Sequence, residues 1–263
     1  MAAIFVHISL YRFKENNMKT LTTDKELYRL TCEENFKNGN FCILRYEKQM
    51  DYLFNKLKTD FNTKDTLFVL DACCGYGRLL YYMNQFNSKQ NYLGIDYSED
   101  LITKGKDMFK GASNISFDIQ DITNLPDKYT KRFDITINYK TLSWLPYYDE
   151  CVKQLIKVTK NKIYITSLFN DNLNETLAKI YKNSYNSQNY TYLNTYSFEK
   201  FRDFCIKNGA KEVLCNSMHL DFDLKKSNDK NEISTYTELL ATGERVEITC
   251  NTLLNWKLIE IIL

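Results

Sequence analysis

The sequence predicts an α/β fold: a doubly wound, mostly parallel sheet of seven strands with helices on both faces, a helical N-terminal cover and a C-terminal β-hairpin. Three observations support this prediction. Short apolar runs alternate with helical segments through the middle of the chain, which is typical of a parallel sheet. A glycine-rich turn follows the first of those runs. The last part of the chain is rich in predicted strands instead of helices.

The N-terminal part is expected to be helical. Apolar residues at spacings of three and four, Tyr46, Met50, Leu53, Phe54 and Leu57, predict one helix. Asn38-Gly39-Asn40 separates it from an earlier helix that begins near residue 24. Met18 is a candidate start. The expected organisation is an extension (1–17), a helical cover (18–66) and an α/β domain (67–263), whose first part (67–168) binds a ligand and whose second part (169–263) lies on the substrate side.

Each element of the α/β domain has its own signal. The expected strands are Leu67–Leu70, Tyr92–Ile95, Ile115–Ile119, Phe133–Ile137, Lys162–Thr166 and Trp256–Leu263. Helices are expected at 78–83, after the capping residue Ser98, at 148–158 and over 197–209. Residues 170–196, rich in Asn, Tyr and Ser, predict a helix and a mobile loop. Glu232–Leu240 and Arg245–Cys250 form the expected hairpin.

Composition excludes several classes of function. The chain has 263 residues and a net charge of +2, and no run of Lys and Arg predicts a nucleic-acid partner. No apolar run reaches the roughly 18 to 20 residues of a membrane span. The eight cysteines contain no CxxC pair, and His7 and His219 are far apart, so no metal site is expected. Reduced cysteines, including the adjacent Cys73 and Cys74, favour a cytoplasmic protein.

The turn Val69-Leu-Asp-Ala-Cys-Cys-Gly-Tyr-Gly-Arg78 carries the strongest chemical signal. A strand, small residues and a helix N-terminus together form a pocket that backbone N–H groups line. A dinucleotide fingerprint requires a third glycine, but Leu80 follows Gly77 at that spacing. Asp71 would also repel a pyrophosphate. The pattern instead suits a ligand with an ammonium and a sulfonium charge.

This turn resembles motif I of class I S-adenosylmethionine-dependent methyltransferases of the small-molecule type, and the resemblance covers residues 67–168. It implies that Asp71 holds the methionine ammonium, directly or through water, and that Gly75 and Gly77 admit the methionine portion. The sequence departs from the family at Cys73, where a glycine is usual. Because cysteine is small, Cys73 keeps its place in the expected cofactor pocket.

The resemblance also assigns the nucleoside part of the cofactor. Asp96, after the second strand, is expected to accept hydrogen bonds from both ribose hydroxyls, and Tyr97 to pack on the adenine. Asp121 is expected to accept from the adenine amine, and Asp118, three residues earlier, is its rival. Ile122 would form a wall of the adenine pocket.

The residues after the fourth strand are expected to line the methyl-transfer site. Asn138 would lie beside the methionine portion, and Tyr139, Lys140 and Trp144 would face the substrate, although core packing explains Trp144 equally well. Together with His219, which is expected on strand six, Tyr139 and Lys140 are the candidate catalytic residues. His219 is a candidate base or a buried core histidine.

Arg45 precedes a helix that would cover the cofactor. It could bind the methionine carboxylate or an anionic substrate, or lie on the surface. The implied function is methylation of a small molecule, with S-adenosylhomocysteine as the second product. The expected reaction is O-methylation of a sugar, phosphate-type or carboxylate group, for example in surface-polysaccharide biosynthesis. RNA or protein methylation and a non-catalytic cofactor-binding module are the alternatives, and the oligomeric state is open.

Overall fold

The computed structural model describes residues 41–62, 65–181, 190–226, 228, 235–249 and 252–263, and for residues 41–47 it describes the backbone alone. These residues form an α/β fold in which helices cover both faces of a central sheet, which confirms the predicted fold class. The expected extension (1–17), the earlier helix near residue 24 and the side chain of Arg45 lie outside the described residues.

Thirteen strands are present in the described residues. They are β1 (Phe68–Ala72), β2 (Asn91–Asp96), β3 (Ile115–Ile119), β4 (Phe133–Tyr139), β5 (Thr159–Asn170), β6 (Lys179–Tyr181), β7 (Tyr190–Tyr192), β8 (Tyr196–Ser197), β9 (Glu212–Ser217), β10 (Thr235–Leu239), β11 (Arg245–Thr249), β12 (Thr252–Leu253) and β13 (Trp256–Ile262). The central sheet has the order β3-β2-β1-β4-β5-β13-β9. Strands β1 to β5 are parallel, and β13 is antiparallel to both β5 and β9.

The central sheet has eight strands, so the expected number of seven is wrong. The additional strand is β8, which pairs in parallel with the end of β5 through Phe169 and Asn170. Sequence patterning missed it because two residues are too short for a period of two to show. Strand β5 is also longer than the expected Lys162–Thr166, and its extra residues at the carboxyl end provide the partner for β8.

Five α-helices are present in the described residues. They are α1 (Phe41–Phe61), α2 (Arg78–Phe86), α3 (Glu99–Met108), α4 (Asp149–Val158) and α5 (Phe198–Lys207). The Ser98 and Ser197 side chains cap α3 and α5 by accepting from the N–H groups of Leu101 and Lys200, as the sequence predicts. Helices α1, α2 and α3 pack on one face of the sheet, and α4 and α5 on the other.

Helix α1 is part of the main core of the domain. Its residues Met50, Leu53 and Leu57 are fully buried in the same cluster as Leu80 and Tyr92. Its C-terminal end is fixed to the sheet, where Asp60 accepts hydrogen bonds from Lys162 and Tyr164. Near the middle of the helix, the Tyr52 hydroxyl bonds to the backbone of His219. The helix therefore runs antiparallel to the parallel strands, and its N-terminal half lies toward their carboxyl ends.

The segment 170–196 differs from its prediction. No helix occurs in its described residues; instead, β6 and β7 form an antiparallel pair, and the expected mobile loop falls partly on residues 182–189, which are not described. Alternation of Tyr and Thr in β7 favours extended backbone over helix. The predicted hairpin further along is confirmed, because β10 pairs with β11 in antiparallel register.

The described residues contain neither a membrane-spanning helix nor a cluster of metal-binding side chains. No helix there is long and apolar enough to cross a lipid bilayer. No group of three or more His, Cys, Asp or Glu side chains there is arranged to hold a metal ion.

Candidate functional site

The candidate site lies at the carboxyl ends of the parallel strands, where β1 has β2 on one side and β4 on the other. Successive connections leave β1 in opposite directions, and such a point opens a crevice for ligands. The turn from β1 to α2 forms one side of it. The Cys74 N–H donates to the Ile95 carbonyl at 2.9 Å, so the turn is fixed against the end of β2.

Left-handed backbone shapes this turn at Cys73 (φ 65°), Gly75 (φ 58°) and Gly77 (φ 89°). A Cβ atom at Gly77 would lie 2.6 Å from the Phe117 ring, whereas one at Gly75 would meet no atom within 4 Å. Gly77 is therefore required by packing between α2 and β3. Gly75 faces open space, which leaves room for a ligand to approach the backbone.

Asp71, near the end of β1, is only 1% exposed, and its Oδ2 has no hydrogen-bond partner in the described structure. Burial, assisted by the nearby Asp96 carboxylate, raises the pKa of Asp71 to about 8. Buried carboxyl oxygens rarely lack a partner. A ligand with a positive charge would supply one, so this residue fits the ammonium or sulfonium of the cofactor that the sequence implies.

Asp96 connects the turn after β1 to the start of α3. Its Oδ2 accepts the Gly75 N–H and its Oδ1 accepts the Ser98 N–H, both at 3.0 Å. Burial raises its pKa, although these N–H bonds act in the opposite direction. A carboxylate has about four lone-pair directions, so Asp96 can hold the turn and still accept hydrogen bonds from a ribose.

The expected adenine residues lie around the end of β3. Tyr97 is exposed. Asp121 is also exposed; its Oδ1 accepts from the Thr123 N–H and hydroxyl. Its rival Asp118 accepts from the Tyr129 hydroxyl at 2.6 Å and from Gln120, which favours Asp121 as the residue that is left for a ligand. Ile122 is buried in the core under α4, so only its backbone or the edge of its side chain could contact adenine.

Asn138, at the end of β4, is fully buried between β4 and β1. Its Nδ2 donates to the Ala72 carbonyl at 3.0 Å, and its Oδ1 has no partner among the described residues. The structure therefore brings Asn138 next to the turn that contains Gly75 and next to Asp71. These residues and Asp96 form one continuous polar lining.

The other residues after β4 lie at the same edge of the sheet. Tyr139 is buried, and Lys140, with a left-handed φ of 59°, is only 8% exposed. The Lys140 ammonium lies 4.9 Å from the centre of the Trp256 ring, which stabilises the cation. Trp144 packs against the core under α1, and its Nε1 is buried with no partner in the described part of the chain.

His219 lies two residues beyond β9, so its predicted place on strand six is wrong. Its side chain is exposed, and only its backbone makes the hydrogen bonds to Tyr52. The chain leaves the strand at Ser217 because the pairing with β13 ends there. Arg45 belongs to α1, but its side chain is outside the described residues, so the prediction for Arg45 stays a prediction.

The two adjacent cysteines have structural surroundings. The Cys74 Sγ is packed against Gly94, and burial raises the pKa of both Cys73 and Cys74 well above that of a free thiol. The neutral thiol is a poor nucleophile. The five described cysteines form no disulfide bond with one another.

Sequence reasoning missed two residues at this edge of the sheet, Gln49 and Trp256. Gln49 is a fully buried polar residue on α1. The sequence contained an indication of its burial. Gln49 lies four residues before the core residue Leu53, and residues at this spacing share one face of a helix. Trp256 was assigned to a strand, but its proximity to Lys140 depends on the pairing of β13 with β5, which local patterns do not encode.

Comparisons with known proteins agree with this geometry. Residues 63–235 match a family model described as a methyltransferase domain. A protein of invertebrate iridescent virus 6, named as a candidate methyltransferase, is 22% identical over 140 residues, which are 51% of each chain. A protein of Mycobacterium tuberculosis with a similar name is 36% identical over 56 residues, which are 21% of this chain and 34% of that protein. The chain thus spans about half and about a third of the lengths of these relatives.

Solved structures share the fold. The magnesium protoporphyrin IX methyltransferase of Synechocystis PCC 6803, with bound S-adenosylmethionine, has a TM-score of 0.51 and 14% identity, covering 82% of this chain and 79% of that one. The 1,6-didemethyltoxoflavin-N1-methyltransferase of Burkholderia thailandensis, with bound 1,6-didemethyltoxoflavin and S-adenosylhomocysteine, has a TM-score of 0.54 and 10% identity, covering 94% and 91%. At these identities, the likeness concerns the fold.

Proposed function

This chain belongs to the methyltransferase-domain family, whose cofactor is S-adenosylmethionine, and we propose that it methylates an oxygen atom of a small molecule. The observation that carries the proposal is the lining formed by Asp71, Gly75, Asp96 and Asn138 at one crevice. It combines a buried carboxyl group whose Oδ2 has no partner in the described structure, an open approach to the backbone at Gly75, and a second carboxylate that can accept hydrogen bonds from a diol.

Each residue of the lining has a distinct role in this proposal. Asp71 would bind the methionine ammonium, whose positive charge stabilises the carboxylate form. Asp96 would hold the ribose while it fixes the turn through Gly75. Asn138 would offer its Oδ1 to the methionine portion, and Asp121 and Tyr97 would bind the adenine. When bound, the cofactor supplies an activated methyl group on a sulfonium, so the protein's task is mainly placement and exclusion of water.

The acceptor is proposed to carry an anionic oxygen, in a carboxylate, phosphate-type or acidic sugar group. Lys140 supports this, because its largely buried ammonium places a positive charge at the edge where methyl transfer is proposed to occur. An anionic oxygen needs no general base. The exposed position of His219, beyond the end of β9, is compatible with a reaction in which His219 removes no proton. Tyr139 would pack against the acceptor.

The small-molecule assignment has two further supports. The related structures are named for a porphyrin and for a toxoflavin precursor, both small molecules. Beyond the central sheet, the described residues form only a three-stranded and a two-stranded sheet, and no separate RNA-binding module occurs among them. Free cysteines favour a cytoplasmic location for the reaction, and intermediates of surface-polysaccharide synthesis are one class of acidic sugar acceptor.

Calorimetry with S-adenosylhomocysteine tests the cofactor site. The wild-type chain is expected to bind it, and Asp96→Ala to bind it with about 1 to 3 kcal/mol less free energy, because hydrogen bonds to the ribose are lost. Asp134→Ala is the matched control: Asp134 also accepts a backbone N–H, from Phe68, but at the amino end of the sheet. Equal losses in the two variants, or no binding by the wild type, would contradict the proposal.

A further inference from the structure

Gln49 is a buried polar side chain that no contact in the described structure explains. It is 0% exposed, and both its Nε2 and its Oε1 have no hydrogen-bond partner among the described residues. Burial of a primary amide without partners is unfavourable, and such groups are rare in folded proteins unless a ligand or water completes them. Gln49 therefore indicates a polar group that is bound next to it.

The position of Gln49 follows from the contacts of its helix. Gln49, Lys56 and Asp60 lie on one stripe of α1, at spacings of seven and four residues. The Lys56 ammonium is 3.4 Å from the Glu260 carboxylate on β13. From Lys56 to Gln49 the helix advances about 10 Å, and from Glu260 back to Trp256 the strand covers about 13 Å. Gln49 therefore lies near the level of Trp256, at the carboxyl ends of the parallel strands.

The side chain of Gln49 also points in the required direction. Side chains on a helix lean toward its N-terminus, and the N-terminal half of α1 lies toward the carboxyl edge of the sheet, as the contact between Tyr52 and His219 shows. Gln49 thus projects toward the edge where methyl transfer is proposed to occur. Leu53, one helical turn further along the same side of α1, packs in one hydrophobic cluster with Trp256 and Trp144.

Three polar side chains near this edge that do not belong to the proposed cofactor lining carry mainly hydrogen-bond donors. Lys140 provides an ammonium over the Trp256 ring, Trp144 provides a buried Nε1–H without a described partner, and Gln49 provides an NH₂ group. The Gln49 Oε1 is the single acceptor among these three side chains. A ligand that satisfies Gln49 and Trp144 is rich in oxygen lone pairs, and the positive charge of Lys140 at the same edge favours a negative charge on it.

We propose that Gln49 binds the methyl acceptor, and that its amide donates to the anionic oxygen group, a carboxylate or a phosphate, that Lys140 attracts. This inference rests on the proposed function, and it narrows the acceptor to molecules that carry such a group beside the methylated oxygen or as the methylated group itself. Gln49 holds the acceptor in place; it exchanges no proton and forms no covalent bond.

Three variants test this role. Gln49→Leu removes both polar atoms at similar volume, Gln49→Glu keeps the shape but introduces a charge that repels an anion, and Gln90→Leu is the control. Gln90 is also fully buried, but its Oε1 accepts the Leu67 N–H at 2.6 Å, just before β1 at the amino end of the sheet. Three measurements are made on each: melting temperature without ligands, calorimetry with S-adenosylhomocysteine, and transfer of labelled methyl from S-adenosylmethionine to a panel of carboxylic acids, phosphate monoesters and neutral sugars.

The expected results separate Gln49 from a structural residue. Gln49→Leu should raise the melting temperature by about 2 to 4 °C, because an unpaired buried amide is removed, whereas Gln90→Leu should lower it. Affinity for S-adenosylhomocysteine should stay within about twofold in all three variants. Transfer to the anionic acceptor should fall at least about tenfold in Gln49→Leu, mainly through KM, fall further in Gln49→Glu, and be unchanged in Gln90→Leu.

Other outcomes overturn the inference. A melting temperature of Gln49→Leu that falls like that of Gln90→Leu would mean that the amide is satisfied within the protein. A tenfold loss of S-adenosylhomocysteine affinity would place Gln49 at the cofactor. Methylation of neutral sugars alone, or of no member of the panel, would exclude the anionic acceptor. A wild-type chain that fails to bind S-adenosylhomocysteine would instead contradict the proposed function itself.

Discussion

Asp71 is the residue whose ionisation most directly links the stability of the fold, ligand binding and pH. It lies near the end of a central strand that has a parallel strand on each side, and it is only 1% exposed. A carboxylate there is unfavourable until a cation pairs with it. Because burial raises its pKa to about 8, the carboxyl group can be mostly neutral at neutral pH in the protein alone, and we expect it to ionise when the ammonium of the cofactor binds.

This residue makes the stability of the ligand-free protein dependent on pH. The pKa of Asp71 is raised from 3.8 to about 8, so its neutral form stabilises the fold. That contribution is fully present below pH 4 and is lost as the pH rises through about 8. Asp71→Asn cannot ionise. We therefore expect the melting temperature of Asp71→Asn, relative to wild type, to increase between pH 5 and about pH 8 and to level off above that pH.

Scanning calorimetry at constant ionic strength measures this difference. The same variant should bind S-adenosylmethionine more weakly, because it lacks the charge that pairs with the ammonium. A difference in melting temperature that stays constant from pH 5 to pH 9 would show that Asp71 keeps one protonation state throughout.

At the scale of the element, the turn between β1 and α2 has two glycines with different functions. Both have positive φ, but Gly77 is pressed against Phe117, whereas Gly75 faces open space. Packing of the fold requires Gly77, and we propose that the approach of the ligand requires Gly75. The sequence motif contains both glycines and does not distinguish between them.

Alanine substitutions separate these functions. Gly209, with a φ of 106° and no atom within 4 Å of a Cβ position, is the control for backbone strain alone. We expect Gly75→Ala and Gly209→Ala to cost about 1 to 2 kcal/mol each, and Gly77→Ala to cost about 1 to 3 kcal/mol more, because Phe117 must move. Urea denaturation measures the free energy of unfolding.

The affinity for the cofactor product should rank the same variants in a different order from their free energies of unfolding. Gly75→Ala should weaken S-adenosylhomocysteine binding although it folds, and Gly209→Ala should bind normally. If Gly75→Ala bound the product with wild-type affinity, the ligand would not approach the backbone at this turn.

At the scale of the whole molecule, one buried polar cluster joins the N-terminal helix to the sheet. Asp60 on α1 accepts hydrogen bonds from Lys162 and Tyr164 of β5, and Lys162 also pairs with Glu260 of β13 at 3.0 Å. The cluster lies at the amino ends of the parallel strands, away from the site. It fixes the helix that carries Gln49 without occupying the cleft.

Asp60→Ala should therefore destabilise the protein by about 2 to 4 kcal/mol, because Tyr164 and Lys162 lose a largely buried partner. Lys48→Ala is the control on the same helix. Lys48 pairs with Asp221 at 3.4 Å, but both side chains are exposed, so its loss should cost less than about 0.5 kcal/mol. Chemical denaturation of both variants gives the comparison, and equal free energies of unfolding would show that the cluster does not anchor α1.

The sequence by itself determined the fold class, five parallel strands, the capped helices and the acids at the ends of β1 and β2. These features are local: period, caps and glycine-rich turns are encoded within a few neighbouring residues. It also predicted Asp121 and Asn138 at strand ends, where parallel strands bring their carboxyl termini to one edge. The prediction of a helix in 170–196 was wrong because polar, tyrosine-rich residues have weak periodicity, and pairing between strands decided their conformation.

Only the tertiary structure decided which residues from distant parts of the chain contact each other. The eighth strand exists because the long β5 provides an edge for Tyr196 and Ser197. Lys140 meets Trp256, which is more than a hundred residues away, because β13 inserts antiparallel next to β5. Gln49 reaches the same edge because α1 crosses the sheet in the opposite direction to the strands. Such contacts join distant parts of the chain, and a local pattern carries no information about which distant partner buries a polar group.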